Sequence, residues 1–99
     1  MPQETGTFVG ADPAPVTLAP IAAESSPRYT FSASGVFGGA VLQVKADFGS
    51  GEYQFLPGVY VDGHHETWAG NVEGPVSLRV EARYATDKTD LTFYSNRVG

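Results

Sequence analysis

The densest group of reactive side chains is Asp62-Gly63-His64-His65-Glu66. On an extended backbone Asp62, His64 and Glu66 share one face and His65 takes the other, because strand side chains alternate. Two carboxylates and an imidazole are donors that a divalent cation accepts. Three donors at every second residue of one strand chelate poorly unless another strand adds ligands, and Asp-Gly at the head of the group favours a turn. The segment therefore reads as an exposed loop with no metal, whose imidazoles make the surface pH-sensitive below about pH 6.5.

Other chemistry fails on inventory. The chain has no cysteine. It has no Gly-x-Ser-x-Gly elbow, and Ser25, Ser26, Ser32 and Ser34 stand in arm or strand contexts. Glu52, Glu66, Glu73 and Glu81 are spread without the paired arrangement that glycoside cleavage needs. The glycines at 35, 38, 39, 49 and 51 punctuate hairpins, and no helix follows them to complete a phosphate loop. The expectation is a protein that is not an enzyme and uses no cofactor. Among the aromatics, Phe31, Phe48, Phe55 and Phe93 are expected in the core. Tyr53, Tyr60, Trp68 and Tyr94 could form a sugar-stacking platform, since such rings combine an apolar body with a polar edge. Core or interface is favoured, however: Tyr60, Trp68 and Tyr94 are the interface candidates, and Trp68 is either a core plug or an interface anchor. A carbohydrate-binding or adhesin module would use Tyr60, Trp68 and the His64-His65 loop.

The elements that carry these residues are strands. Arg28 to Gly35 sends Tyr29, Phe31 and Ala33 to one face. A turn at Val36 to Gly39 leads into Ala40 to Phe48, with Ala40, Leu42, Val44, Ala46 and Phe48 inward. Gly49-Ser50-Gly51 closes a hairpin into Glu52 to Leu56. Pro57-Gly58 predicts a turn before Val59-Tyr60-Val61, and His65 to Ala69 predicts another strand. The cleanest alternation follows Glu73-Gly74-Pro75, with Val76, Leu78, Val80, Ala82 and Tyr84 facing in. Leu91 to Val98 closes the chain with Leu91 and Phe93 on one face and Tyr94 and Val98 on the other, as expected of a strand covered on both sides or lying in a subunit contact. These patterns predict an all-β fold, an antiparallel β-sandwich or jelly-roll-like barrel of six to seven short strands.

The body, residues 28–99, is preceded by residues 1–27, which hold Pro2, Pro13, Pro15, Pro20 and Pro27, three acids and no lysine or arginine. This stretch predicts an extended arm that needs a surface, its own body or a neighbour, with contact to a neighbour favoured and Ala14 to Ile21 able to form one short edge strand bounded by prolines. Phe8, Val16, Leu18 and Ile21 are its candidate interface residues, too apolar for a bare spacer. A body of about 70 residues is near the lower limit for an independent core. Without cysteines, self-association is the expected support. The net charge of −5 over 99 residues and six scattered basic side chains argue against nucleic acid and anionic membranes. No signal-peptide pattern or apolar run of membrane-spanning length is visible, so a soluble protein made in the cytosol is expected.

The stretch Tyr29 to Phe48, YTFSASGVFGGAVLQVKADF, resembles small virion proteins of tailed bacteriophages. In those proteins a strand ending in Ser/Gly enters a Phe-Gly-Gly-Ala turn and then an amphipathic Val-Leu-Gln-Val strand. GPVSLRVEARY, from Gly74 to Tyr84, is similar to their penultimate strand and LTFYSNRV, from Leu91 to Val98, to their closing one. The resemblance does not extend to the Pro-rich arm or to Asp62–Trp68. It implies a capsid decoration (cement) or head-fibre protein, commonly a homotrimer, made in the host cytoplasm and bound in the virion to the major capsid protein or another virion protein. It implies no catalytic residues.

Overall fold

A computed structural model describes residues 3–99; Met1 and Pro2 of the expected arm lie outside them. Eight strands are present: β1 (Gln3–Val9), β2 (Val16–Thr17), β3 (Arg28–Val36), β4 (Val41–Asp47), β5 (Gln54–Val61), β6 (Thr67–Asn71), β7 (Ser77–Arg83) and β8 (Asp90–Val98). They form two four-stranded antiparallel sheets, one in the order β1-β8-β3-β6 and one in the order β2-β7-β4-β5. The first half of the chain pairs with the second as β1·β8, β2·β7, β3·β6 and β4·β5. The chain is thus one long hairpin rolled up, its successive pairs alternating between sheets, with β3·β8 and β4·β7 closing each sheet. That is the jelly-roll form of a β-sandwich.

The two inner faces fill the core with different residue types. From β1-β8-β3-β6 come Phe8, Phe93, Phe31, Tyr29 and Leu91, and from β2-β7-β4-β5 come Leu42, Val44, Ala46, Leu78, Val80 and Val61, all buried. The rings run across the first sheet: Phe8 meets Phe93 edge-on at 6.2 Å, Phe93 lies 5.8 Å from Phe31, and Trp68 stacks on Phe31 at 5.3 Å. Edge-on and offset contacts of this kind add to what area burial alone contributes.

The strand count is eight rather than six to seven, and the two additional strands come from the expected arm. β1 pairs with β8 along its whole length, from Gln3↔Asn96 to Val9↔Asp90. Residues 16–21 then follow β7, through Val16↔Val80, the bond from Leu18 N to Leu78 O (3.0 Å) and the Ile21↔Val76 bridge. Ala19, next to Pro20, lacks a ladder partner, and its N–H donates to both oxygens of the Glu4 carboxylate at 3.2 and 3.1 Å. Gly6 faces inward on β1, and Val16 occupies the space a side chain there would need. The surface on which this segment lies is its own body.

Five further expectations are corrected. β3 and β4 do not form a hairpin; the link from Phe37 to Ala40 crosses between sheets, so Gly38 and Gly39 serve a crossover. Pro57-Gly58 is no turn between strands but lies within β5, where the pairing jumps from Gln43↔Tyr60 to Lys45↔Phe55. The residues between loop out as a bulge, and Gly58 supplies its positive φ of 79°. Phe48 is 61% exposed, because Asp47 Oδ1 accepts the N–H groups of Gly49 (2.8 Å) and Gly51 (3.1 Å) and turns the chain as β4 ends. Phe55 lies opposite Lys45 on the outer side of its sheet, and Tyr84, at φ 61°, leaves the alternation of β7 and is 69% exposed.

Candidate functional site

Asp62 through His65 is a closed turn. Asp62 Oδ1 accepts the backbone N–H groups of His64 (2.9 Å) and His65 (2.8 Å), while the Asp62 N–H donates to His65 O at 2.9 Å. The carboxylate that would head a chelate thus holds the backbone instead. Among the described residues no three His, Asp or Glu side chains converge as metal ligands. The His65 ring rests against Tyr60, centroids 5.1 Å apart.

The seven residues expected at an interface fall in four places. Phe8, Leu18 and Ile21 are buried in the chain's own core, and Val16 packs half-buried against it. This corrects the expectation that those side chains reach a neighbour, since the roll itself has already enclosed them. Trp68 points inward from the edge strand β6 onto Phe31. Tyr60 pairs with Gln43 and stands on the outer face of the sheet containing β5. Tyr94 stands at the middle of the outer face of the other sheet, between Thr5 and Ser32. Tyr60, Trp68 and Tyr94 therefore form no common platform. Trp68 does line one open depression of about 350 Å³, with Phe48, Leu56, Pro57, Val59 and Asn71.

Pairing assembles a surface that linear spacing conceals. On the outer face of β2-β7-β4-β5 one cross-strand row reads Thr17, Arg79, Lys45, Phe55, and the next reads Glu81, Gln43, Tyr60. The Arg79 guanidinium lies 4.2 Å from the centre of the Tyr53 ring, and Lys45 Nζ lies 4.6 Å from that of Phe55. Arg83 sits over Phe55 and Tyr84, at 5.1 and 5.3 Å. Glu81 binds Lys45 at 3.1 Å and Arg79 at 2.6 Å. Burial by itself would raise the Glu81 carboxyl, but the hydrogen bonds and charges of Lys45 and Arg79 outweigh it and hold the group below its ordinary value. Three of the six basic residues of an acidic chain thus share one face, Lys45 and Arg79 paired with Glu81 and Arg83 hydrogen-bonded to Gln43. Strand pairing gathers these three, while Arg28, Arg97 and Lys88 lie elsewhere, on the other sheet and in the loop before β8.

No family model matches this chain, and neither does any curated protein or solved structure. The surfaces are accordingly read on their own chemistry. The outer face of β1-β8-β3-β6 contrasts with the one just described. Its rows are Thr5, Tyr94, Ser32, Thr67 and Thr7, Thr92, Ser34, flanked by Asn96 and Thr30. Short hydroxyl side chains lose little rotamer freedom on being covered. The sequence singles out Tyr94 here but not the hydroxyl array, whose signal is the recurrence of Thr and Ser at alternate positions of β1 (Thr5, Thr7) and β3 (Thr30, Ser32, Ser34).

Proposed function

We propose that this chain is a non-enzymatic structural protein of a tailed-phage virion, a capsid decoration protein that self-associates and docks on the outer shell through the face of β7, β4 and β5. The observation that carries the reading is the set of cations stacked over rings on that face: Arg79 over Tyr53, Lys45 over Phe55, and Arg83 over Phe55 and Tyr84. Arg and aromatic side chains dominate binding energy at the centres of protein interfaces, and here the cations and Phe55 stand on paired strands with Tyr53 and Tyr84 beside them. The resemblance of Tyr29–Phe48 and Gly74–Tyr84 to phage accessory proteins supports the same reading, and the filled jelly roll suits a part that presents surfaces. Multivalent display on a lattice would turn weak single contacts into firm attachment.

A second reading has one observation in its favour. Trp68 and Phe48 line the same open depression together with Asn71 and Glu73, a mixture of rings and polar residues suited to the apolar face and hydroxyls of a sugar ring. One experiment separates the two. Wild type, Arg83→Glu and Phe48→Ala are each titrated onto decoration-free capsids of the phage encoding the chain and onto a glycan array. Arg83→Glu is expected to lower capsid affinity at least tenfold, and Phe48→Ala to leave it within about twofold. Glycan binding lost in Phe48→Ala, with no capsid binding by wild type, establishes the second reading instead.

A further inference from the structure

We infer that the outer face of β1-β8-β3-β6 is where two copies of this chain meet, sheet against sheet, about a two-fold axis that sets the Arg28 end of one copy over the Asp90 end of the other. The inference rests on the self-association in the reading above and specifies its surface and geometry. Between Asp90 at one end and Arg28 at the other, the described part of this face carries no charged side chain. Its middle is the Ser32↔Tyr94 pair, four residues along β8 from Asp90 and four from Val98, which lies beside Arg28. A two-fold axis in the plane of contact, perpendicular to the strands and passing over that pair, superimposes the ends in opposite order. Each Arg28 then meets the end of the partner that holds Asp90, and the contact is made twice. The alternative axis, parallel to the strands, places like charges together and is disfavoured.

Apolar exposure follows the same plan. Val36 and Val9 stand beside Asp90 in one row, 55% and 61% exposed, and Val98 stands beside Arg28, 50% exposed. Stacking in opposite order covers these valines with the stems and ends of the partner's side chains. The face is large enough. Nine residues of β8 at ~3.4 Å each and four strands at ~4.8 Å spacing give roughly 500 Å² per copy, hence about 1,000 Å² in a pair, the size at which specific interfaces begin.

The test is sedimentation velocity at low ionic strength on wild type, Tyr94→Arg, Arg28→Glu, Asp90→Lys and the double variant Arg28→Glu/Asp90→Lys. Wild type is expected to dimerise. Tyr94→Arg should abolish the dimer by placing two unpaired charges at its centre. Each end reversal should raise the dissociation constant about tenfold, since each counts twice across a two-fold axis, and the double variant should return to within about threefold of wild type. Arg28 and Asp90 are exposed, so these three variants remain informative if Tyr94→Arg fails to fold. A wild-type monomer at all concentrations overturns the inference, as does a double variant weaker than either single one. A monomer that still decorates capsids removes this inference and the self-association of the proposed function while leaving its docking on the shell; a dimer that ignores capsids keeps this inference and removes the docking.

Discussion

The two sheets distribute their side chains in opposite ways. The sheet β1-β8-β3-β6 keeps Phe8, Phe93, Phe31, Tyr29 and Trp68 on its inner side and turns Thr, Ser and Asn outward, with Tyr94 the one ring on the outside. The sheet β2-β7-β4-β5 keeps aliphatic residues inside and places Phe55 and Tyr60 outside, with Tyr53 and Tyr84 joining them from the adjoining loops. Regularity differs in the same sense. Seven- and nine-residue strands pair without interruption in β1·β8 and β3·β8, whereas the second sheet has a two-residue edge strand and a bulge in β5. The regular sheet owes its cohesion to ladder bonds and an aromatic core. The interrupted one carries additional ties on its outside, rings beneath cations and cations around Glu81. A sheet that needs no outer ties can present a bland flat surface.

The largest effect expected from this comparison contrasts two phenylalanines. Phe8→Ala removes a fully buried ring from the edge strand of the regular sheet and should lower unfolding free energy by about 3–5 kcal/mol. Phe55→Ala removes a ring that is 44% exposed and should cost about 1 kcal/mol or less, chiefly its contacts with Lys45 and Arg83. Urea unfolding of both measures the difference directly. Equal losses would mean that the outer rings are as much a part of the core as the inner ones, and the contrast between the sheets would fail.

Legibility in the sequence follows the same division. β3, β4 and β7 lie inside their sheets, one face buried along most of their length, and their period-two patterns (Tyr29, Phe31, Ala33; Leu42, Val44, Ala46; Leu78, Val80) disclose strand and facing together. β1 is nearly silent, because its inward positions are Glu4, Gly6 and Phe8. The glutamate is there to hold the Ala19 N–H, and the glycine to admit Val16. Neither requirement can be seen before the roll closes. Phe48, Phe55 and Tyr84 depart from the alternation their sequences suggest, because a turn at Asp47, a bulge in β5 and a positive φ at Tyr84 each reset the phase. The candidate sites were less visible than the fold. Arg79, Arg83 and Lys45 are separated in sequence and become one surface only through the register of β4 with β7 and of β4 with β5.

A smaller effect sharpens the idea of outer ties. Arg79→Ala removes the cation over Tyr53 and one arm of the Glu81 cluster, and should cost about 1 kcal/mol. Thr92→Ala, at the corresponding depth on the outer face of the regular sheet, should fall within about 0.5 kcal/mol of wild type. Thermal unfolding of the two variants side by side compares them. A Thr92→Ala loss exceeding that of Arg79→Ala would reverse the assignment of ties to sheets.

The smallest effect is electrostatic and has a definite sign. Lys45 and Arg79 hold the Glu81 carboxyl below its ordinary value of 4.5 in the folded chain, so folding favours the ionised form. The contribution is fully present above the unfolded carboxyl's pKa and is lost as pH falls through the depressed folded value. Stability measured from about pH 6 down to about pH 3 should therefore fall more steeply in wild type than in Glu81→Gln, which cannot titrate at this position. Because the cluster is partly open to solvent, added salt should shrink the difference between the two curves. Parallel curves at low salt would show that the cations on this face rest on their rings alone. The outer ties of the interrupted sheet would then be cation–ring contacts, with Glu81 a spectator among them.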